Sequence, residues 1–320
     1  MEQHEKNKKA VLGIIITITA MVIGIILTSY FDTRSTTRKV FGVTYMTMNN
    51  PFYEVINNEI QKVVEENGDQ LMTLDPALDV DKQNQQIYSF IKQRVDGIFV
   101  NPIDSQKIKP AIEAAKKANI PVIVVDAPVL DEQLVNCTIV SDNYDAGVQC
   151  AKDMMKRLSQ ANIVLLKHTT ARSAKDRIDG FLDTIQLYPQ YQIVNEGECE
   201  GQLELAMPLM EKILSQTRQI DVVMALNDPS ALGALAALEN QDKKDVLVYG
   251  IDGTPDLKSL ISKSDMIAGT VAQSPISLGK IAVEQMYKVI VGEKVESLIK
   301  IPVTLMNKDN ISHYDVKGWQ

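Results

Sequence analysis

The sequence predicts an α/β protein built as two lobes of parallel sheet facing one cleft, and three observations predict it. Short β-rich runs alternate with helical stretches of apolar periodicity from Lys39 onward, which calls for parallel sheets with helices on both faces. Residues 220–256, IDVVMALNDPSALGALAALENQDKKDVLVYGIDGTPD, form a complete strand–helix–strand unit whose strands stop at Asn227-Asp228 and at Asp252. Residues 97–128, GIFVNPIDSQKIKPAIEAAKKANIPVIVVDAP, repeat that layout, with Asp126 ending the last strand as Asp252 ends the other.

Taken in order, the chain of 320 residues starts with a short tail, 1–10, and an apolar segment. Residues 11–30, VLGIIITITAMVIGIILTSY, carry no charge and as a helix would span about 30 Å. The run exceeds the roughly 7–15 residues of a signal-peptide core, and no small-x-small cleavage site follows it. An uncleaved transmembrane helix is therefore expected. No cysteine follows for lipid attachment. Lys6, Lys8 and Lys9 before the segment nearly balance Arg34, Arg38 and Lys39 after it, and the short tail favours an inside amino terminus with the remainder outside.

Beyond a polar tether, 31–38, strands are expected at 39–46, 70–76, 97–104 and 121–128, with helices at 53–66, 80–94 and 105–119 between them. The rhythm restarts past Asn143, with helices at 146–158, 173–187 and 202–216 and strands at 162–168 and 191–198. The 220–256 unit follows, its helix capped by Ser230. A strand at 266–273, a long helix at 274–291 and a closing strand at 297–307 complete the pattern.

A net charge of −8 without any basic block argues against nucleic acid, and no helix-turn-helix precedes the α/β part. Cys137, Cys150 and Cys199 are odd in number and lack CxxC spacing, which points to three small buried thiols rather than a disulfide framework or a zinc site. His168 has no second histidine at ligand spacing and reads as a solvated or hydrogen-bonded structural residue. The GxSxG, HExxH, GxxxxGK[ST] and GxGxxG motifs are absent, so no enzyme, metal or cofactor is expected.

Polar residues gather instead where strands end or helices begin: Asn50, Asp126, Arg177, Asn227, Asp252 and Gln273, with Phe52 and Tyr53 beside the first. In open parallel sheets, ligands bind beyond the carboxyl ends of the strands. Planar Asp, Asn, Gln and Arg groups bond two neighbouring hydroxyls at once, and an aromatic ring covers the C–H face of a sugar. Singly, each residue has another reading. Asn50 fits a turn cap, Arg177 a solvated helix position, Gln273 the end of an edge strand, and Phe52 and Tyr53 core packing.

Together these segments resemble the type I periplasmic binding proteins of the ribose-binding kind. MNNPFY (48–53), NPIDS (101–105), PVIVVD (121–126), SDN (141–143), Arg177 with Gly180-Phe181, NDPSALGAL (227–235), GIDGTPD (250–256) and TVAQSP (270–275) fall in that family's order. The resemblance implies two Rossmann-like lobes, 39–142 with 274–302 and 143–273 with 303–320, joined by a three-crossover hinge that closes on a ligand. It implies a monosaccharide in the cleft, held by Asn50, Phe52, Tyr53 and Asp126 from one side and by Arg177, Asn227, Asp252 and Gln273 from the other. It implies the substrate-binding component of an ABC-type sugar importer. An anchored form in a Gram-positive membrane fits equally a sensor that signals to a histidine kinase or chemoreceptor. Two positions depart from the ribose pattern: Ala127 stands where an arginine is usual, and Gly201 lies where an aromatic wall is usual. Ribose itself is therefore not expected.

Overall fold

The computed structural model describes residues 13–25 and 38–320. Residues 13–25 form a helix, α1, in a unit of its own that ends at Lys39; Val40–Gln320 form the other compact unit. Along α1 the side chains of Ile14, Ile15, Ile16, Ile18, Met21, Val22, Ile23 and Ile25 are all exposed. Thr17 and Thr19 turn their hydroxyls back to the carbonyls of Gly13 and Ile15. The rest of the apolar segment lies outside the described residues. Among the described residues no helix is long and apolar enough to cross a membrane.

Two six-stranded sheets carry the larger unit. In the first, β1 (Val40–Thr44), β2 (Gln70–Leu74), β3 (Gly97–Val100), β4 (Val122–Val125), β5 (Cys137–Ser141) and β11 (Leu298–Ile301) lie in the order β11-β5-β4-β3-β1-β2. In the second, β6 (Ala161–Lys167), β7 (Tyr191–Glu198), β8 (Val222–Ala225), β9 (Leu247–Asp252), β10 (Ile267–Ala272) and β12 (Thr304–Asn307) lie in the order β12-β10-β9-β8-β6-β7. Every pairing is parallel except β10 with β12. The interior strands GIFV, VIVV and VVMA are buried at every position, as strands covered on both faces must be.

The helices follow from the alternation. α2 (Pro51–Glu66), α3 (Val80–Gln93), α4 (Lys109–Lys117) and α10 (Pro275–Ile290) cover the first sheet. α5 (Asn143–Arg157), α6 (Arg172–Ile185), α7 (Leu203–Gln216), α8 (Asp228–Asn240) and α9 (Pro255–Ile261) cover the second. The chain passes from one sheet to the other between β5 and α5, between β10 and α10, and between β11 and β12.

Several sequence expectations shift. Residues 297–307 are not one closing strand: the chain breaks at Pro302-Val303, and its halves join different sheets. Helix α4 starts four residues later than expected, because Asp104 bonds the backbone N–H groups of Gln106 and Lys107 and holds that stretch as turns. Strand β5 and helix α9 went unread. Ser230 does not cap α8; Asn227 does, its side chain accepting the N–H of Ser230.

Helices α5 and α6 touch backbone to backbone. A Cβ on Gly147 would lie 1.8 Å from the Arg177 carbonyl oxygen, and one on Gly180 would lie 2.1 Å from the Tyr144 carbonyl oxygen. Gly147→Ala must push α6 away, and overpacking of this kind costs about 1–3 kcal/mol. A lower melting temperature is expected, with weaker ligand binding, because Arg177 rides on the displaced helix.

Candidate functional site

Both sheets reverse their strand order beside their first strands, between β1 and β3 and between β6 and β8. Crevices at such points, outside the carboxyl ends of parallel strands, are where α/β folds bind ligands. All eight residues singled out from the sequence line one cavity there: Asn50, Phe52, Tyr53, Asp126, Arg177, Asn227, Asp252 and Gln273.

The two strand-end aspartates are built alike. Asp126 follows β4 with φ +71°, and Asp252 ends β9 with φ +145°. Side chains other than glycine seldom adopt such angles, and the strain, of the order of 1–3 kcal/mol, persists where the surroundings impose it. Asn101 imposes it at Asp126. Its Nδ2 donates to Asp126 Oδ2 and to the Val125 carbonyl, both at 3.1 Å, while its Oδ1 accepts the Met46 N–H. On the other side, Gln273 Nε2 donates to Asp252 Oδ1 at 2.7 Å, and the Gln273 N–H donates to the Asp252 carbonyl.

Arg177 enters from α6, 4% exposed. Its Nε donates to Asn143 Oδ1 at 2.8 Å and its Nη1 to the Leu226 carbonyl at 2.9 Å, with Asp252 Oδ1 at 3.5 Å. Behind Asp252 lies Asp228, which accepts Thr270 Oγ1 at 2.6 Å and the Thr254 N–H at 2.7 Å. Burial pushes the Asp228 carboxyl up to about 6 and also raises Asp252 and Asp126, against the pull of Arg177. Tyr53 is raised by burial first and then by Asp126.

The asparagines do two jobs. Asn50 caps α2 by accepting the Phe52 N–H at 3.0 Å. Asn227, capping α8, also donates Nδ2 to the Gly201 carbonyl. Gly201 sits at φ +70°, and a Cβ there would lie 2.9 Å from Asn227 Nδ2, so this backbone excludes an aromatic wall at that position. Ala127 is buried behind the lining. Phe52 packs edge-on against Trp319 near the carboxyl end, whose segment is held by Lys258 Nζ bonding the Asp315 and Gly318 carbonyls.

The cleft is shut. Asn49 Nδ2 donates across it to Glu204 Oε1 at 2.8 Å, and the Ser105 N–H donates to the Thr170 carbonyl. The centre of a water-sized sphere has about 30 Å³ inside. Adding a water radius of 1.4 Å all round gives an envelope of roughly 150 Å³, room for one small ring. Three buried side-chain atoms on its walls have no hydrogen-bond partner: Asp126 Oδ1, Asp252 Oδ2 and Gln273 Oε1. An unpaired buried acceptor is costly, so these three call for donors from a ligand.

Of the two readings of His168, solvated or hydrogen-bonded structural residue, burial rules out the first. His168 is buried on the cavity wall beside Glu200 and Gln202, and burial lowers its pKa. Its low folded pKa means that stability from the neutral ring is present above the unfolded value near 6.5 and is lost as pH falls below it. In thermal melts, wild type is expected to lose more stability than His168→Gln as pH drops from 8 to 5. Met46, Thr47, Leu78, Ala171, Ser173, Ala174 and Leu226 complete the lining and carry no sequence signal of their own. The three cysteines are buried free thiols.

Residues 41–294 match the family model described as periplasmic binding protein domain. The chain is 32% identical over 266 residues to the ribose import binding protein RbsB of Bacillus subtilis, covering 82% of this chain and 86% of that one. It is 28% identical over 290 residues to RbsB of Escherichia coli, covering 90% and 96%. Among solved structures, an ABC transporter solute binding protein from Bacillus halodurans with bound myo-inositol superposes with a TM-score of 0.82 at 26% identity, covering 88% of this chain and 98% of that one.

Proposed function

The chain belongs to the periplasmic binding protein family, and on that premise we propose that it is an extracytoplasmic receptor for one monosaccharide, the substrate-binding component of an ABC-type importer. Its relatives are solute-binding proteins rather than enzymes. The observation that carries the reading is the small, ring-sized cavity between the lobes with three unpaired acceptors on its walls. Sugar hydroxyls supply donors at that density, and Phe52 and Tyr53 supply apolar faces for the ring. The eight lining residues named above are the proposed contacts. The lobes that close run 39–142 with 274–302 and 143–273 with 303–320, a division that the sheet memberships support.

A cavity shut on both sides admits ligand only by opening, so the three crossings between sheets act as a hinge. Calorimetric titration with aldopentoses and aldohexoses tests the reading. One sugar binding with a stoichiometry of one is expected, and silence across that panel and its amino derivatives would sink it.

Helix α1 supports a membrane anchor, because apolar side chains around it are all exposed and its threonine hydroxyls are satisfied by its own backbone. Carbonate extraction of membranes tests this, since an anchored chain stays in the pellet. An anchored receptor also suits a second reading, a sensor that presents its closed state to a membrane kinase or chemoreceptor. A kinase response that persists without importer function would favour it.

A further inference from the structure

The charges on the cavity wall do not balance. Asp126 comes from one lobe and Asp252 from the other, both 2% exposed. Among the described residues that line the cavity, Arg177 is the only arginine or lysine, and two of its N–H groups are already given to Asn143 and the Leu226 carbonyl. His168 adds no charge near neutral pH, since burial lowers its pKa, and Glu200 at the exposed edge adds a further negative one. Asp228 behind the wall is answered by Thr254, by Thr270 and by the nearby Lys258. The wall itself is left with two acidic groups against one guanidinium, and burial raises the pKa of both, so the empty cleft resists carrying both charges without a further cation.

Closing the empty cleft brings these like charges together away from water, where repulsion is strong. Each acidic group also keeps one oxygen without a hydrogen bond, Asp252 Oδ2 and Asp126 Oδ1, and Gln273 Oε1 is a third open acceptor. The Asp126 carboxyl lies close to the Tyr53 hydroxyl, which bonds Met46 Sδ instead. A hydroxyl donates one proton to such a group, whereas an ammonium donates three and carries the missing positive charge. We propose that the ligand is an amino sugar, a monosaccharide with one hydroxyl replaced by an ammonium group that sits between Asp126 Oδ1 and Asp252 Oδ2 and ties the two lobes together. This rests on the sugar-binding reading and narrows it. The neutral part of the ring uses the N–H groups that Arg177 has to spare and the faces of Phe52 and Tyr53.

The test is calorimetric titration of the full chain in detergent micelles with 2-amino-, 3-amino- and 6-amino-hexoses, each beside its parent hexose. At pH 7 at least one amino sugar is expected to bind about tenfold or more tightly than its parent. The preference should shrink at pH 9, where the amine loses its proton, and should fall several-fold in Asp126→Asn and in Asp252→Asn. The pH arm needs no variant, so a variant that misfolds does not decide the matter. A parent sugar that binds as tightly as every amino derivative would overturn this inference and leave the sugar-binding reading standing. Failure of both sets would overturn both.

Discussion

Arg177→Ala is expected to weaken sugar binding by roughly 30-fold or more and to destabilise the empty protein together. The guanidinium is the hub of its lobe's wall, joining α5 through Asn143, the end of β8 through the Leu226 carbonyl, and the end of β9 through Asp252. Truncation leaves the Asp252 carboxylate buried with the Gln273 side-chain amide as its hydrogen-bond donor. Breaking a buried charge pair from one side costs about 3–5 kcal/mol. Losing the same group from a closed binding site typically costs about 2–5 kcal/mol of affinity, or roughly 30-fold to several thousand-fold. Lysine should not rescue it, because a point charge cannot serve two acceptors at the fork positions of a guanidinium. Arg172→Ala on the same helix is the control. Its ion pair with Asp176 is largely exposed, and such pairs contribute about 0–1 kcal/mol. Calorimetry gives the affinity and thermal melts the stability; an Arg177→Ala protein that binds as wild type does would remove Arg177 from the site.

The site was legible because its residues stand at positions with a local signature. A β-rich run that stops at Asp or Asn before a helical pattern marks a strand's carboxyl end, and Asp126, Asn227 and Asp252 were found that way. Arg177 and Gln273 were harder. Arg177 lies inside a polar helix, α6, and its place on the wall depends on the close α5–α6 approach at Gly147 and Gly180 and on Asn143 and the Leu226 carbonyl, partners that no local pattern reveals. The burial of His168 on the cavity wall is not legible, because a lone histidine after a strand shows nothing of what covers it. Asn101 makes three bonds, one to Asp126 Oδ2, one to the Val125 carbonyl and one from the Met46 N–H, and no sequence signal set it apart as their hub. Asn101 ties three strand ends, while Asn227 caps a helix.

The fold follows the same division. Strand–helix alternation is periodic and was readable. The break at Pro302-Val303 is invisible to the strand pattern, which runs through 297–307, whereas the family resemblance implies a lobe boundary between 302 and 303, where the strands part. Strand β5 was missed because its residues, CTIVS, follow a loop held by Asp131 and Asn136 that has no helical rhythm to set it off.

Asp252 is where binding and stability should separate. Its carboxylate is buried, pushed up in pKa by that burial, and attached to a backbone at φ +145°. Asp252→Ala is expected to cost about 1.5–3 kcal/mol of binding, the usual worth of a charged hydrogen bond, which is roughly a 10- to 150-fold loss. Its effect on the ligand-free protein should be smaller than that of Arg177→Ala, since Arg177 keeps Asn143 and the Leu226 carbonyl as acceptors and the desolvation of a carboxylate is removed. Alanine keeps the backbone strain. Glycine does not, so Asp252→Gly should bind as poorly as Asp252→Ala yet be more stable than it by about 1 kcal/mol. The raised carboxyl also sets a pH dependence. A group protonated more readily in the folded state gives stability at low pH that is lost as pH rises through its folded pKa. Wild type should therefore lose stability relative to both variants as pH climbs from 4 towards neutral. If glycine and alanine melt alike and track wild type at every pH, the strand-end aspartate is unstrained and uncharged in the closed cleft, and its place in the site must be reconsidered.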